Sequence, residues 1–400
     1  MASQLLAPIT QITDQRQKTE AYKTALQQIL DAGQPEACKE FVSHMLTDEV
    51  PLVISRQLLM LFAQGLARLP SATHVAVATA ALEKLQPRVV SFEDSVVLLR
   101  ENLAEQLEKE EEWSKAAQVL SGIDLESSGR ALEPSYKLSK NIKIAMLYLE
   151  DDDSVNAEMY IKKAASLISA CKDEALELQY KTCYARILDA KRRFLEAALR
   201  YYELSSVRPS PSCVLQLDES DLETALRSAI TCTILAPAGP QRSRMLAALY
   251  KDERSSRLGD LYPFLQKVYL ERILDRSEVE AFAQGLKPHQ VATLGAGGTV
   301  LDRAVVQHNL AAASRIYSNI GTDQLGGLLG VSAEAAEAIA ADMVGEGRMA
   351  GSIDQVDGLI HFGAKQDVEA LMRWDENIRG ACAKVGELLD TVTALGLVAR

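Results

Sequence analysis

Five histidines, six cysteines and a glycine-rich run are the residues of this 400-residue chain best suited to chemistry. His44, His74, His289, His308 and His361 stand far apart. None falls in an HxH or HExxH pattern, or beside a carboxylate at the helical spacing that a bound metal needs. Each reads as a surface or packing residue. Cys38, Cys171, Cys183, Cys213, Cys232 and Cys382 lack CxxC spacing, which points to reduced core thiols rather than zinc ligands or a disulfide framework. Gly295-Ala296-Gly297-Gly298-Thr299 invites a phosphate-loop reading. It lacks the Lys of a Walker sequence and the last Gly of a dinucleotide fingerprint, and follows no predicted strand, so it reads as a loop. No GxSxG elbow occurs. The carboxylate runs Glu108 to Glu112 and Glu150 to Asp153 sit at predicted turns and read as solvated caps. The expectation is therefore no catalytic residue, no cofactor and no metal.

What remains is architecture. A hydrophobic content of 48% supports a well-buried core over two or three domains. Aromatic residues make up only 5%, while Ala, Leu, Glu, Gln, Lys and Arg are abundant, a mixture that favours helices over sheets. The formal charge of −12 works against a nucleic-acid partner, because phosphate binding needs clustered Lys and Arg. No segment approaches the roughly 18 uninterrupted apolar residues of a membrane span, and Met1 to Gln15 lacks the pattern of a secretory signal. No Asn-x-Ser/Thr sequon occurs. A soluble chain in cytoplasm and nucleus is expected, with no membrane partner.

From Leu99 to Leu204 the sequence repeats weakly with a period near 40, anchored at Trp113, Ser154 and Phe194. Ala116, Ala157 and Ala197 stand three residues after the anchors; Ala104, Ala145 and Ala185 stand nine before. Larger residues recur at Leu107, Tyr148 and Leu188, and at Leu120, Ile161 and Tyr201. Between them lie charged turns, Glu110 to Glu112, Asp151 to Asp153 and Lys191 to Arg193. Each unit reads as helix, turn, helix, with small residues allowing close approach and a face that only a neighbouring unit can bury. Leu52 to Leu69 and Ala78 to Leu85 read as further helices. Breaks are expected at Val207 to Asp218, at Ala236 to Pro240 and at Leu294 to Gly298.

After Asp302 the pattern becomes compact. A helix is predicted from about Arg303 to Tyr317, an edge strand over Ser318 to Ile320, a helix capped by Thr322 through Leu329, and another capped by Ser332 through about Glu346. Met349 to Asp354 and Leu359 to Phe362 form a hairpin across Asp357-Gly358. Three helices and a hairpin make a winged helix. Its third helix carries Glu334, Glu337, Asp342 and Glu346 with no Lys or Arg, opposite to what a DNA reader needs.

A final helix is predicted from about Asp367 to Leu397. Leu371, Ile378, Val385 and Val392 recur every seven residues, and Trp374, Ala381, Leu388 and Leu395 stand three further on. This seam either packs back on its own core or joins partner helices in a bundle. The fold class is thus mainly all-α: a right-handed solenoid of antiparallel helix pairs, a winged-helix module with a small β-hairpin, and a long C-terminal helix. The divisions are 1–200, 201–365 (helical to 300, winged helix from 301) and 366–400.

A helical arm leading into an acidic winged helix and a terminal helix resembles the PCI family. The tracts Leu52 to Leu59, Gln86 to Glu93, Ala145 to Asp153, Cys232 to Ala236, Gln241 to Leu246, Leu301 to Val305 and Glu346 to Met349 are similar, in order, to the branch of that family in the COP-nine signalosome. A paralogous scaffold subunit of the proteasome lid is the alternative. The chain departs from the family near Gly295, at Gly326-Gly327 and over Pro209 to Leu217. The resemblance implies a non-catalytic scaffold and substrate-sensing subunit of the complex that removes NEDD8 from cullins and so regulates cullin-RING ubiquitin ligases, with the metalloisopeptidase in another subunit. It also implies partners: other signalosome subunits through the winged-helix edge and the terminal bundle, where Leu371, Trp374, Ile378, Val385, Leu388, Val392 and Leu395 would form the seam, and cullin-RING ligase through the helical arm.

Overall fold

The computed structural model describes residues 5–6, 8–9, 14–47, 49–125, 132–171, 173–207, 218–293, 298–363 and 366–395. They fall into two compact units, one through Lys191 and one from Arg192 onward. Cys213 and most of the predicted Val207 to Asp218 and Leu294 to Gly298 breaks lie outside the described residues.

The first unit is helical. In order stand α1 (Gln15–Ala32), α2 (Pro35–Met45), α3 (Leu52–Gly65), α4 (Ser71–Leu85), α5 (Glu93–Lys109), α6 (Trp113–Ser121), α7 (Pro134–Glu150), α8 (Ser154–Ile168) and α9 (Glu174–Ala190). Local chemistry sets the ends. The Asp14 carboxylate accepts from the Arg16 amide at 3.0 Å to start α1, and Gly33, at φ 61°, ends it in the left-handed conformation. Asp153 caps α8 by accepting from the amides of Val155 and Asn156, and these bonds, that to Asn156 first, hold its carboxyl below the usual range. Each helix packs chiefly on the next or the next but one in the chain, the contact pattern of a repeat array. Tyr22, Phe41, Leu58, Leu59, Phe62, Leu85 and Leu99 form the fully buried spine of the amino-terminal half, with the Phe41 and Phe62 rings 5.9 Å apart.

The repeat has a backbone signature that residue patterning did not show. Helices begin at the first two anchors, Trp113 and Ser154, and the residue at the centre of each preceding turn, Glu111 or Asp152, has φ near 60°. In both turns the second residue past the left-handed position's predecessor closes the loop by a long backward bond, Glu112 N to Leu107 O and Asp153 N to Tyr148 O, each 2.9 Å. These are Schellman C-caps built without glycine. Ala104, Ala116, Ala145 and Ala157 are buried beside them, which brings the helices close enough for Leu107, Leu120, Tyr148 and Ile161 to fill the seam.

In the second unit α10 (Phe194–Ser205) begins at the third anchor, and Arg192 before it again has φ near 60°. There follow α11 (Glu219–Leu235), α12 (Pro240–Lys251), α13 (Leu261–Tyr269), α14 (Arg276–Ala283), α15 (Pro288–Val291) and α16 (Val300–Ile316). Then come β1 (Asn319–Gly321), α17 (Thr322–Leu329), α18 (Ala333–Gly345), β2 (Gly351–Asp354), β3 (Leu359–Phe362) and α19 (Gln366–Ala394). The sheet is antiparallel in the order β1-β3-β2, with Ile320 and Ile353 flanking Ile360. Two predicted helix starts are capped differently from expectation. The helix expected from Arg303 starts at Val300, because the Thr299 hydroxyl accepts from Asp302 N and the Asp302 carboxylate accepts from Thr299 N, a capping box. Thr322 is the first residue of α17 and not its cap; Gly321 holds the cap position without a side-chain bond.

A left-handed non-glycine residue stores backbone strain of about 1 to 2 kcal/mol, and a β-branched side chain raises it further. Asp152→Gly is therefore expected to leave stability unchanged or raise it, and Asp152→Ile to lower it by about 1 to 2 kcal/mol. Urea unfolding of the two variants measures the difference; equal midpoints would show that this turn carries no strain.

Candidate interaction surfaces

The second unit is tied together by polar groups of α16. Leu310 and Ala313 on this helix enter the winged-helix core with Ile320, Leu325, Ala336, Ala340, Met343 and Ile360. Gln307, His308 and Asn309 are also buried, and each has a partner. Asn309 brackets Leu274: its Oδ1 accepts from the Leu274 amide at 2.9 Å and its Nδ2 donates to the Leu274 carbonyl at 3.3 Å. Gln307 Oε1 accepts from Arg348 Nη1 at 3.0 Å. His308 Nε2 lies 2.9 Å from the Arg272 carbonyl, which can only accept, so Nε2 carries the proton. Burial, assisted by the Arg242 charge, pushes the His308 imidazole down to about 4, and the ring is neutral at physiological pH. Arg242 is buried as well; it donates through Nε to the Thr233 carbonyl at 3.0 Å and through Nη2 to the Ile234 carbonyl at 3.1 Å, satisfying the last turn of α11. Burial lowers its guanidinium to about 10, still charged.

The winged helix depends on a close approach at Gly326. A side chain there would stand 2.9 Å from the Val331 carbonyl and 3.1 Å from the Ala333 amide, so only glycine lets α17 fold back on the start of α18. Gly330, at φ 70°, makes the turn, and the Ser332 hydroxyl caps α18 by accepting from the Ala335 amide. On α18, Glu334, Asp342 and Glu346 are exposed. Glu337 accepts from Gln355 Nε2 at 2.6 Å, which ties the wing to the helix. In the wing Asp354 accepts from the amides of Val356 and Asp357, leaving a second acidic edge. The groove-facing position of a DNA reader is thus a field of carboxylates. β1 and β2 each keep one free strand edge in the sheet.

The terminal helix α19 extends for 29 residues. Trp374 is 68% exposed, Ile378 43%, Val385 64%, Leu388 63% and Leu395, just past the helix, 72%. Val392 is half-buried, and the side chain of Leu371 lies outside the described residues. Among the described seam residues none is buried. Leu389, also exposed, widens the stripe; it was legible as an apolar neighbour four residues after Val385 but falls outside a strict seven-residue repeat.

The groups examined for chemistry scatter. His74 is buried in the first unit, His44 meets the Tyr22 hydroxyl at 3.1 Å and His308 serves α16. Cys38, Cys183 and Cys232 are core residues, and burial pushes the first two thiols up to about 11 and about 12. Cys171 is half-buried and packs against the core of the first unit, whereas Cys382 is exposed on α19, where the expectation of a core thiol fails. No disulfide joins the described cysteines. Among the described residues no His, Cys, Asp and Glu cluster has metal-binding geometry, and no helix is long and apolar enough to cross a membrane.

A helix-pair array that leads into a compact acidic winged helix is the architecture of PCI-domain proteins, and the PCI domain family model matches residues 282–364. A second family model, described as PSMD12/CSN4, N-terminal, matches residues 2–210. Over nearly the full length the chain is similar to COP9 signalosome complex subunit 4 of Arabidopsis thaliana, 55% identical over 386 residues that cover 96% of each protein. It is 45% identical to the subunit of that name from Dictyostelium discoideum, covering 98% of this chain and 96% of the relative, and 41% identical to that of Drosophila melanogaster, covering 98% and 95%. The chain belongs to the family of COP9 signalosome complex subunit 4.

Two outcomes follow from the site chemistry. His308 has its folded pKa below the unfolded value of 6.5, so its contribution is present above 6.5 and is lost as pH falls toward 4. Between pH 7 and 5 the wild type is expected to lose about 2 kcal/mol more stability than His308→Gln, measured by denaturant unfolding at both pH values; parallel losses would contradict a buried neutral ring. The acidic face of α18 predicts no measurable duplex DNA binding near physiological salt, and tight, sequence-dependent binding in a fluorescence anisotropy titration would contradict it.

Proposed function

We propose that this chain is a non-catalytic scaffold and substrate-sensing subunit of the COP9 signalosome, the complex that removes NEDD8 from cullins and thereby regulates cullin-RING ubiquitin ligases. The observation that carries this reading is the 41 to 55% identity, over nearly the whole chain, to proteins named as subunit 4 of that complex. The metalloisopeptidase resides in a different subunit on this reading, and the chain works in cytoplasm and nucleus. Residues 1–200 form the arm that meets the cullin-RING ligase, 201–365 the PCI domain and 366–400 the bundle helix.

Two features support the assembly role physically. The free edges of the β1-β3-β2 sheet offer unpaired backbone groups to a neighbouring subunit. The exposed stripe of Trp374, Ile378, Val385, Leu388 and Leu395, with the half-buried Val392 and with Leu371 completing its heptads, is the kind of surface that a partner-helix bundle covers. Relay of substrate binding to the catalytic subunits would need contacts that differ between resting and engaged states.

The function is tested by purifying tagged full-length chain from its native cells. Signalosome subunits and cullin deneddylation are expected in the eluate, with the chain alone inactive; recovery of proteasome lid subunits instead would reassign the function while keeping the fold. The seam is tested by Ile378→Asp combined with Val385→Asp, which is expected to abolish copurification while the melting of the first unit stays unchanged. Undiminished recovery of partner subunits with this variant would rule out the seam as an assembly surface.

A further inference from the structure

A cleft of about 570 Å³ opens in the second unit between α12, α13, α16 and the turn after α18. Its charged lining is unusual for a chain of net charge −12: Arg242, Arg315 and Arg348 face it against the single carboxylate of Glu271. His308 also lines it but is held neutral, and Glu346, which pairs with Arg348 from just outside the lining, leaves one positive charge in excess.

The three guanidiniums come from separate elements and none has all its donors engaged. Arg242 uses Nε and one Nη2 hydrogen on backbone carbonyls of α11, and the Glu271 charge acts on it without a close ion pair among the described residues. Arg315 spends Nη2 and Nε on Glu271. Arg348 lies in an ion pair with Glu346, 2.6 Å from Nε, and donates through Nη1 to Gln307 at 3.0 Å, while Nε itself has no hydrogen-bond partner among the described residues. Each fork has five N–H donors, so each keeps some for a further acceptor. The cleft also contains the N-terminus of α12: Gly239 and Pro240 line it, Gly239 supplies no side-chain cap, and the Arg348 stem passes 4.0 Å from where a Gly239 side chain would begin. The positive end of the helix dipole therefore adds to the same field.

We propose that this cleft is a binding site for a phosphate-bearing ligand. The excess positive charge and the helix N-terminus favour an anion, and tetrahedrally disposed oxygens can reach donors that arrive from three directions, whereas one planar carboxylate would satisfy a single fork. Arg242 is buried with two backbone carbonyls as acceptors and shares the Glu271 charge with Arg315, so a further anion can complete its environment. The phosphate group can be carried by a free small molecule or by a phosphorylated side chain, and the site stands independently of the assembly reading.

The test is calorimetric titration of the full-length chain, at constant ionic strength, with inorganic phosphate, pyrophosphate and O-phosphoserine, using chloride as the reference anion. Saturable binding of at least one phosphate compound is expected, weakened tenfold or more by Arg315→Gln and by Arg348→Lys. The melting temperature in chloride should stay that of the wild type, which separates loss of the site from loss of the fold. Tighter pyrophosphate points to a small polyphosphate as the source, and tighter phosphoserine to a modified side chain. If no phosphate compound saturates, or if binding survives both substitutions unchanged, the proposal fails. Should either variant melt early, Arg315→Lys, which keeps the charge on an exposed side chain but loses the fork, replaces it under the same criterion.

Discussion

Every part of this molecule follows from the fact that a helix pair has one apolar face more than it can bury alone. In the first unit that face is matched by small residues at fixed places, Ala104, Ala116, Ala145 and Ala157, so that neighbouring helices come close and Leu107, Leu120, Tyr148 and Ile161 interdigitate. Close approach in turn demands very short connections. Glu111 and Asp152 provide them by entering the left-handed region, where their charged side chains point to solvent and the strain is borne by the packing on either side. The same closure recurs in the second unit, where Glu271 has φ 52° and Arg272 N bonds back to Lys267 O at 3.0 Å. Turn geometry and core packing are thus one constraint seen from two sides.

The winged helix solves the same burial problem with more polar means. α16 is apolar toward Leu325, Ala340 and Met343, yet its other buried positions are Gln307, His308 and Asn309. These groups bond to the backbone at Arg272 and Leu274 and to Arg348, so a misdocked α16 would leave several buried polar atoms unpaired. Apolar contact alone would tolerate sliding of one helix along another. The polar trio selects one register.

Much of this was legible beforehand where the signal is periodic or steric. The repeat anchors Trp113, Ser154 and Phe194 marked helix starts because small and large residues recur around them, and Ser332 and Gly358 marked a cap and a hairpin turn by their residue type. The start of α16 was misplaced by three residues because its signal, Thr299 and Asp302, was masked by the glycines before it. The Arg242, His308 and Asn309 ties were invisible: their partners are backbone carbonyls and amides up to 36 positions away, and backbone groups leave no trace in residue identity. The left-handed Glu111 and Asp152 were read only as solvated turns, since nothing in a charged residue announces a positive φ.

The terminal helix is where the governing constraint is left unmet. Trp374, Val385 and Leu388 expose most of their surface, and leaving such side chains in water forgoes about 1.5 to 3 kcal/mol each relative to full burial. Other large apolar side chains are exposed as well, Val53, Val90 and Val356 among them, so exposure alone does not mark the stripe. The stripe is, however, not confined to one turn, as a lone exposed residue would be: from Trp374 to Leu395 it runs along six turns of one helix. Its length suits another helix rather than a small ligand, and its spacing suits a bundle in which several helices share the cost of desolvation. α19 thus carries an apolar face of the kind that α8 buries against α7, but leaves it exposed.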